Sequence, residues 1–116
     1  MATLEQELQR LIGEKLESVT FVHDYVQLGW ARSGLNAYTM PVAVTPSGIY
    51  MVGAPEYRQV LYRLEGRIVT KVDVPDECVR LLFEGGTSLS ISLRDEDYSC
   101  PEALLYQEKG GSTWVV

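Results

Sequence analysis

Residues 4–30 read LEQELQRLIGEKLESVTFVHDYVQLGW, and residues 57–83 read YRQVLYRLEGRIVTKVDVPDECVRLLF. Laid over one another at an offset of 53, the two stretches agree at Gln6/Gln59, Leu8/Leu61, Arg10/Arg63, Leu11/Leu64, Gly13/Gly66, Val19/Val72, Val26/Val79 and Leu28/Leu81. Leu16/Val69, Phe21/Val74, Asp24/Glu77 and Trp30/Phe83 are conservative pairs between them. Agreement at a fixed offset marks a repeated structural unit, and eight identities in 27 positions stand far above chance. With small gaps the match runs on. Leu35 and Ala37 fall opposite Leu89 and Ile91, Pro41-Val-Ala43 opposite Pro101-Glu-Ala103, and Tyr50 opposite Trp114.

Each copy carries the same plan. The first opens with Leu4, Leu8, Leu11 and Ile12 at helical spacing, with Thr3 and Gln6 as a capping box and Gly13 as the stop. The second repeats this with Pro55 near the first turn, Tyr57, Val60, Leu61 and Leu64 on the buried face, and Gly66 as the stop. Both glycines are expected in the left-handed conformation that lets the chain reverse into a strand. Alternation of period two follows: Val19, Phe21, Val26, Leu28 and Trp30 in copy one, and Val72, Val74, Val79, Leu81, Phe83, Leu89, Ile91 and Leu93 in copy two. His23-Asp24, Ser33-Gly34, Pro46-Ser47-Gly48, Pro75-Asp76, Gly85-Gly86 and Gly110-Gly111 mark turns, and such short connections join antiparallel neighbours. The last two strands of each copy form a hairpin.

A unit of this size is marginal alone because too little of its surface is buried. The reading is therefore an α+β, mostly β fold: one domain over 1–116, a tandem pseudo-repeat of a helix plus about five short antiparallel strands. Repeat one covers about 4–53 and repeat two about 57–116, packed as one compact, two-lobed body about a pseudo-twofold axis.

Composition narrows the function classes. The chain has 116 residues, 46% of them apolar, sixteen acidic against ten basic side chains and a net charge of −6. The acidic balance argues against a nucleic-acid binder, which would carry a basic stripe. No apolar run approaches the roughly 20 residues of a membrane span. Met1 leads into an acidic amphipathic segment and not a basic-then-apolar leader, so a cytoplasmic location is expected. Cys78 and Cys100 form no disulfide framework in such a compartment. With one histidine and no CxxC, neither metal nor cofactor is expected.

His23 beside Asp24 and Tyr25 is the first place to seek acid–base chemistry, but both acidic and imidazole groups stand at a turn that asks for polar residues anyway. Asp95, Glu96 and Asp97, with Tyr98 and Glu102 following, make the densest charge cluster, and their spacing lacks the glycine and distal glutamate of an EF-hand loop. Residues 73–102 carry a net −6, with Asp76 and Glu77 among the acids, whereas residues 58–71 carry a net +3. Carboxylates beside Cys100 blunt its thiol, so no catalytic residue is assigned. The partner-binding candidates are Asp95, Glu96, Asp97, Glu102, Asp76 and Glu77; the ligand-binding candidates are His23, Tyr25 and Tyr98.

The run Leu81-Leu-Phe-Glu-Gly-Gly-Thr-Ser-Leu-Ser-Ile-Ser-Leu93, followed by Tyr98 and a closing hairpin, resembles a group of small uncharacterised bacterial proteins of immunity type. That family has no assigned activity, immunity-type roles beside toxins being suspected for proteins of its kind, and the resemblance transfers no functional residue. The helix-plus-five-strands plan is also similar to the Sm-like fold, and Leu11-Ile-Gly-Glu-Lys-Leu16 is similar to the opening of its first strand. The glycine–aspartate signatures that contact RNA in that family are missing here, so the likeness extends to topology alone.

The expected function is a non-enzymatic protein-binding module, an immunity-like inhibitor whose acidic face engages a basic partner. The alternative is a small-ligand or metal-binding module with its pocket between the two lobes. Trp114-Val-Val116 at the closing edge points to a homodimer through the C-terminal strand.

Overall fold

The computed structural model describes residues 3–75, 77–94, 103–109 and 113–116. Asp76, Asp95, Glu96, Asp97, Tyr98, Cys100 and Glu102 lie outside the described residues.

The capping box starts the first helix: Gln6 N donates to Thr3 Oγ1 at 3.1 Å, and Thr3 N donates to Gln6 Oε1 at 2.9 Å. Helix α1 covers Leu4–Leu8 and tightens into a 3-10 turn at Gln9–Leu11. Leu8 and Leu11 are buried, but Ile12, expected on the same face, is 41% exposed. Its backbone has already turned extended (φ −62°, ψ 127°), which swings the side chain off the helical stripe. Helix α2 covers Tyr57–Tyr62 and buries Tyr57, Val60 and Leu61, and Leu64, expected on the same face, is buried in the turn that follows. Gly13 and Gly66 both stand at φ +89°.

Five strands follow each helix. The first half supplies β1 (Ser18–Val22), β2 (Tyr25–Gly29), β3 (Ser33–Ala37), β4 (Val42–Thr45) and β5 (Gly48–Tyr50). The second supplies β6 (Val69–Asp73), β7 (Cys78–Phe83), β8 (Ser88–Ser92), β9 (Leu104–Glu108) and β10 (Thr113–Val115). The fold is α+β and mostly β, with every strand pair antiparallel. Offset partners occupy matching rungs: Val19 lies opposite Leu28 as Val72 lies opposite Leu81, and Leu28 opposite Leu35 as Leu81 opposite Leu89. Val19, Val26, Leu28, Val72, Val79 and Leu81 are all at most 4% exposed.

The sheets are not the two halves. One has the order β1-β2-β3-β9-β10 and the other β5-β4-β8-β7-β6. Each half therefore keeps three strands at home and sends its closing hairpin to the other half's sheet. A lone hairpin is marginal in water; the exchange gives each one a sheet to join and covers the edges of β3 and β8, leaving β10 and β5 as the new outer strands. The crossing is tied down by Tyr38 N donating to Ala103 O (2.8 Å) and by Thr39 Oγ1 donating to Ser92 O (2.7 Å). The ladders also shift the hairpin correspondence by three residues. Leu35 faces Tyr106 and Leu89 faces Ala43, so Ala43 corresponds to Tyr106 and not to Ala103. Tyr50 and Trp114 do correspond, since Ala43 pairs Tyr50 and Tyr106 pairs Trp114.

The helices are exchanged too. Gln9 Nε2 donates to Val72 O (2.8 Å) and Val74 N donates to Glu5 Oε1 (3.1 Å), which seats α1 beside β6. In return Phe21 of β1 meets the ring edges of Tyr57 and Tyr62 at 6.2 and 5.3 Å, and Val19 N donates to Glu65 Oε2 at 2.8 Å.

Between the halves runs a reciprocal set of backbone bonds. Gly13 N donates to Val69 O (2.8 Å) and its counterpart Gly66 N donates to Leu16 O (2.7 Å). Leu16 N donates to Arg67 O (2.9 Å) and Val69 N to Glu14 O (3.1 Å). Lys15 and Ile68, themselves offset partners, form the bridge at the centre. Such reciprocity, i to j and j to i, is what a twofold contact produces. All the buried apolar side chains of both halves belong to one core.

Candidate functional site

The β1–β2 turn holds His23 at φ 49°, in the left-handed region, near the Gly53–Pro55 seam between the halves. There His23 and Asp24 line an open cleft of about 490 Å³ with Phe21, Met40, Val52, Gly53, Ala54, Pro55, Tyr57 and Arg58. Both halves contribute to it. The floor is Tyr57, 3% exposed, whose hydroxyl donates to Pro41 O; burial pushes that hydroxyl's pKa well above the usual phenol range. Arg58 lies over the Phe21 ring, 4.8 Å from its centroid, so one cation is stacked on the wall by its attraction for the ring face. The wall is mostly apolar, with an imidazole, a carboxylate and a guanidinium around it.

Of the residues singled out in the sequence, His23 thus reaches a cleft. Tyr25 does not join it: its ring packs on Tyr38 at 5.0 Å between centroids, on β2 and beyond β3. Glu77 sits exposed at φ 51° in the β6–β7 turn, the counterpart turn on the other sheet, where its carbonyl accepts from Leu93 N at 2.8 Å. The remaining candidates, Asp76, Asp95, Glu96, Asp97, Tyr98 and Glu102, are outside the described residues. Among the described residues, no group of three or more His, Cys, Asp or Glu is placed to hold a metal ion. No helix among them is long and apolar enough to cross a membrane.

Two features escaped sequence reading. The first is an apolar flank on the β4–β5 hairpin. Ile49, Met51 and Val52 are 67, 58 and 61% exposed, and β5 is the outer strand of its sheet. Val44, paired across the ladder with Ile49, adds to the same outward face, and Val52 carries the flank into the seam cleft. Alternation alone places Ile49 on a strand; Ala43 and Tyr50 take the core side of that ladder, which leaves Val44 and Ile49 on the outward face.

The second is a pair of corresponding clefts, one in each half. In the first, of about 460 Å³, Arg10, Glu14, Arg32, Ser33, Tyr106 and Glu108 converge. Arg10 Nη1 reaches Glu108 at 2.7 Å and Glu7 at 3.6 Å, an ion-pair cluster built from opposite ends of the chain. Its counterpart, of about 180 Å³, holds Arg63 and Arg67.

No protein-family model matches the chain, and neither curated proteins nor solved structures give a match.

Proposed function

We propose that this chain is a non-enzymatic protein-binding module that docks a basic partner through the apolar flank of the β4–β5 hairpin and the seam cleft beside it. One observation carries the reading: Ile49 on an outer strand and Met51 and Val52 just past its end are all exposed, and Val52 also lines the largely apolar cleft. Contiguous apolar surface of this kind marks a contact site, because covering it recovers the free energy of removing it from water. The chain's net charge of −6, with the net −6 of residues 73–102, would draw a cationic protein toward it. An immunity-like inhibitor is one protein that works this way.

Affinity capture from the native host at low and raised salt tests it, with the parent chain and an Ile49→Asp/Val52→Asp variant compared side by side. The expected result is a basic protein retained by the parent, lost from the variant, and released from the parent as ionic strength rises. Both positions are exposed, so the variant should keep the parent's fold. Equal retention by both chains would remove the flank from the reading, and retention indifferent to salt would remove the electrostatic part.

A further inference from the structure

The two corresponding clefts have opposite charge. Under the 53-residue offset Arg63 is the counterpart of Arg10, Arg67 of Glu14 and Val60 of Glu7, and along the ladders Thr45 is the counterpart of Glu108. Around Arg10 stand three carboxylates, two of them in ion pairs with it. Around Arg63 those three places are taken by an alcohol, an alkyl group and a second guanidinium. Among the described residues neither Arg63 nor Arg67 has an ion-pair partner, in a chain whose acids outnumber its bases sixteen to ten.

Arg67 is nonetheless held. Its Nε donates to Arg63 O (3.3 Å) and its Nη1 to Glu84 O (3.0 Å), both neutral carbonyls. Its Nη1 lies close against Gly85, where any Cβ would collide with it. The neighbouring acids turn elsewhere: Glu65 accepts from Val19 N (2.8 Å) and Glu84 from Ile68 N (3.3 Å), and neither lines the cleft. A fixed, half-buried guanidinium with its charge unanswered, and a second beside it, are preorganised for an oxyanion.

We infer that the cleft of Arg63 and Arg67 binds a phosphate monoester. Two guanidinia match the charge of about −1.5 to −2 that such a group carries at pH 7. Ser47 and Thr87 line the cleft with hydroxyls as further donors, and half-buried Tyr50 offers a ring for the ester's organic part.

Amide NMR titrations with inorganic phosphate and with phenyl phosphate test the site. Saturable shifts are expected at Ser47, Gly48, Gly85 and Thr87, with phenyl phosphate the tighter ligand and binding weaker at pH 5, where the group is a monoanion. Arg63→Gln should weaken phenyl phosphate at least about tenfold, since it removes a charge-assisted contact. Arg63 is exposed and its side chain makes no hydrogen bond among the described residues, so this variant should keep the parent spectrum. Thr45→Glu, which supplies the carboxylate used in the other cleft, should weaken binding as much, and Arg10→Gln should leave it unchanged. A phosphoserine peptide run in parallel identifies the source: tighter binding than phenyl phosphate places the group on a protein, weaker or equal binding on a small molecule, and either supports the site. Absence of saturable shifts, or equal affinity in parent and Arg63→Gln, would overturn it.

Discussion

Gly13 and Gly66 hold the same angle, φ +89°, at the ends of the two helical segments, and a Cβ added to either would meet nothing within 4 Å. Space is therefore irrelevant there, and the backbone alone decides. An L side chain in that region costs roughly 1–2 kcal/mol, partly offset by the stiffer unfolded chain. Gly13→Ala and Gly66→Ala are each expected to lower the unfolding free energy by about 1 kcal/mol, read from urea midpoints with an unchanged m-value. Both glycines were legible in the sequence because a helix stop is a local signal.

Tyr57 makes a second prediction at this scale. Burial raises its hydroxyl pKa, and burial does the same for Tyr106. Above pH about 10 the unfolded chain gives up its phenolic protons while the folded chain keeps them, so the unfolded state binds fewer protons and stability falls as pH rises. That contribution is present in full below the ordinary phenol pKa and is lost on the alkaline side. Urea unfolding between pH 8 and 11 should show the loss, and Tyr57→Phe should make its slope shallower while costing about 1 kcal/mol at pH 8 for the bond to Pro41. A slope unchanged by the substitution would assign the alkaline loss elsewhere.

The elements divide into what a short window of residues can encode and what it cannot. Strands β2, β7 and β8 were legible because each alternates buried and half-buried positions, with Val26 and Leu28 buried in β2 and Val79, Leu81 and Phe83 in β7. The exchange of hairpins was not, because a turn signal such as Pro46-Ser47-Gly48 fixes only which two strands it joins and says nothing of the third strand beside them. The three-residue slip has a similar cause. Two prolines were matched by identity, while the rung itself carries alanine in one half and tyrosine in the other, Ala43 against Tyr106. For the site, His23 was legible as a polar residue at a turn. Arg58 and Val52 were not, since only the closure of the seam brings them to it. The partnership of Arg10 with Glu108, 98 residues apart, depends wholly on the exchange that seats β9 beside β3.

At the scale of the whole molecule, exchange and the reciprocal bonds around Lys15 and Ile68 leave neither half a core of its own. Cooperative unfolding in one step is the consequence. Chains comprising 1–53 and 54–116 alone are expected to give the circular dichroism of unfolded peptides, and an equimolar mixture to regain the β spectrum of the intact protein. Gly53 is exposed, so the cut itself removes no buried contact. A stable β spectrum from either fragment by itself would contradict the intertwined arrangement.

Joining both halves in one chain has a consequence for what the two clefts can become. In an assembly of two identical subunits, any substitution appears twice, and a change that suits one cleft is imposed on the other. Here position 45 can be threonine while position 108 stays glutamate, and position 60 valine while position 7 stays glutamate. Covalent linkage thus frees one member of a matched pair to specialise while its twin goes on bracing the scaffold.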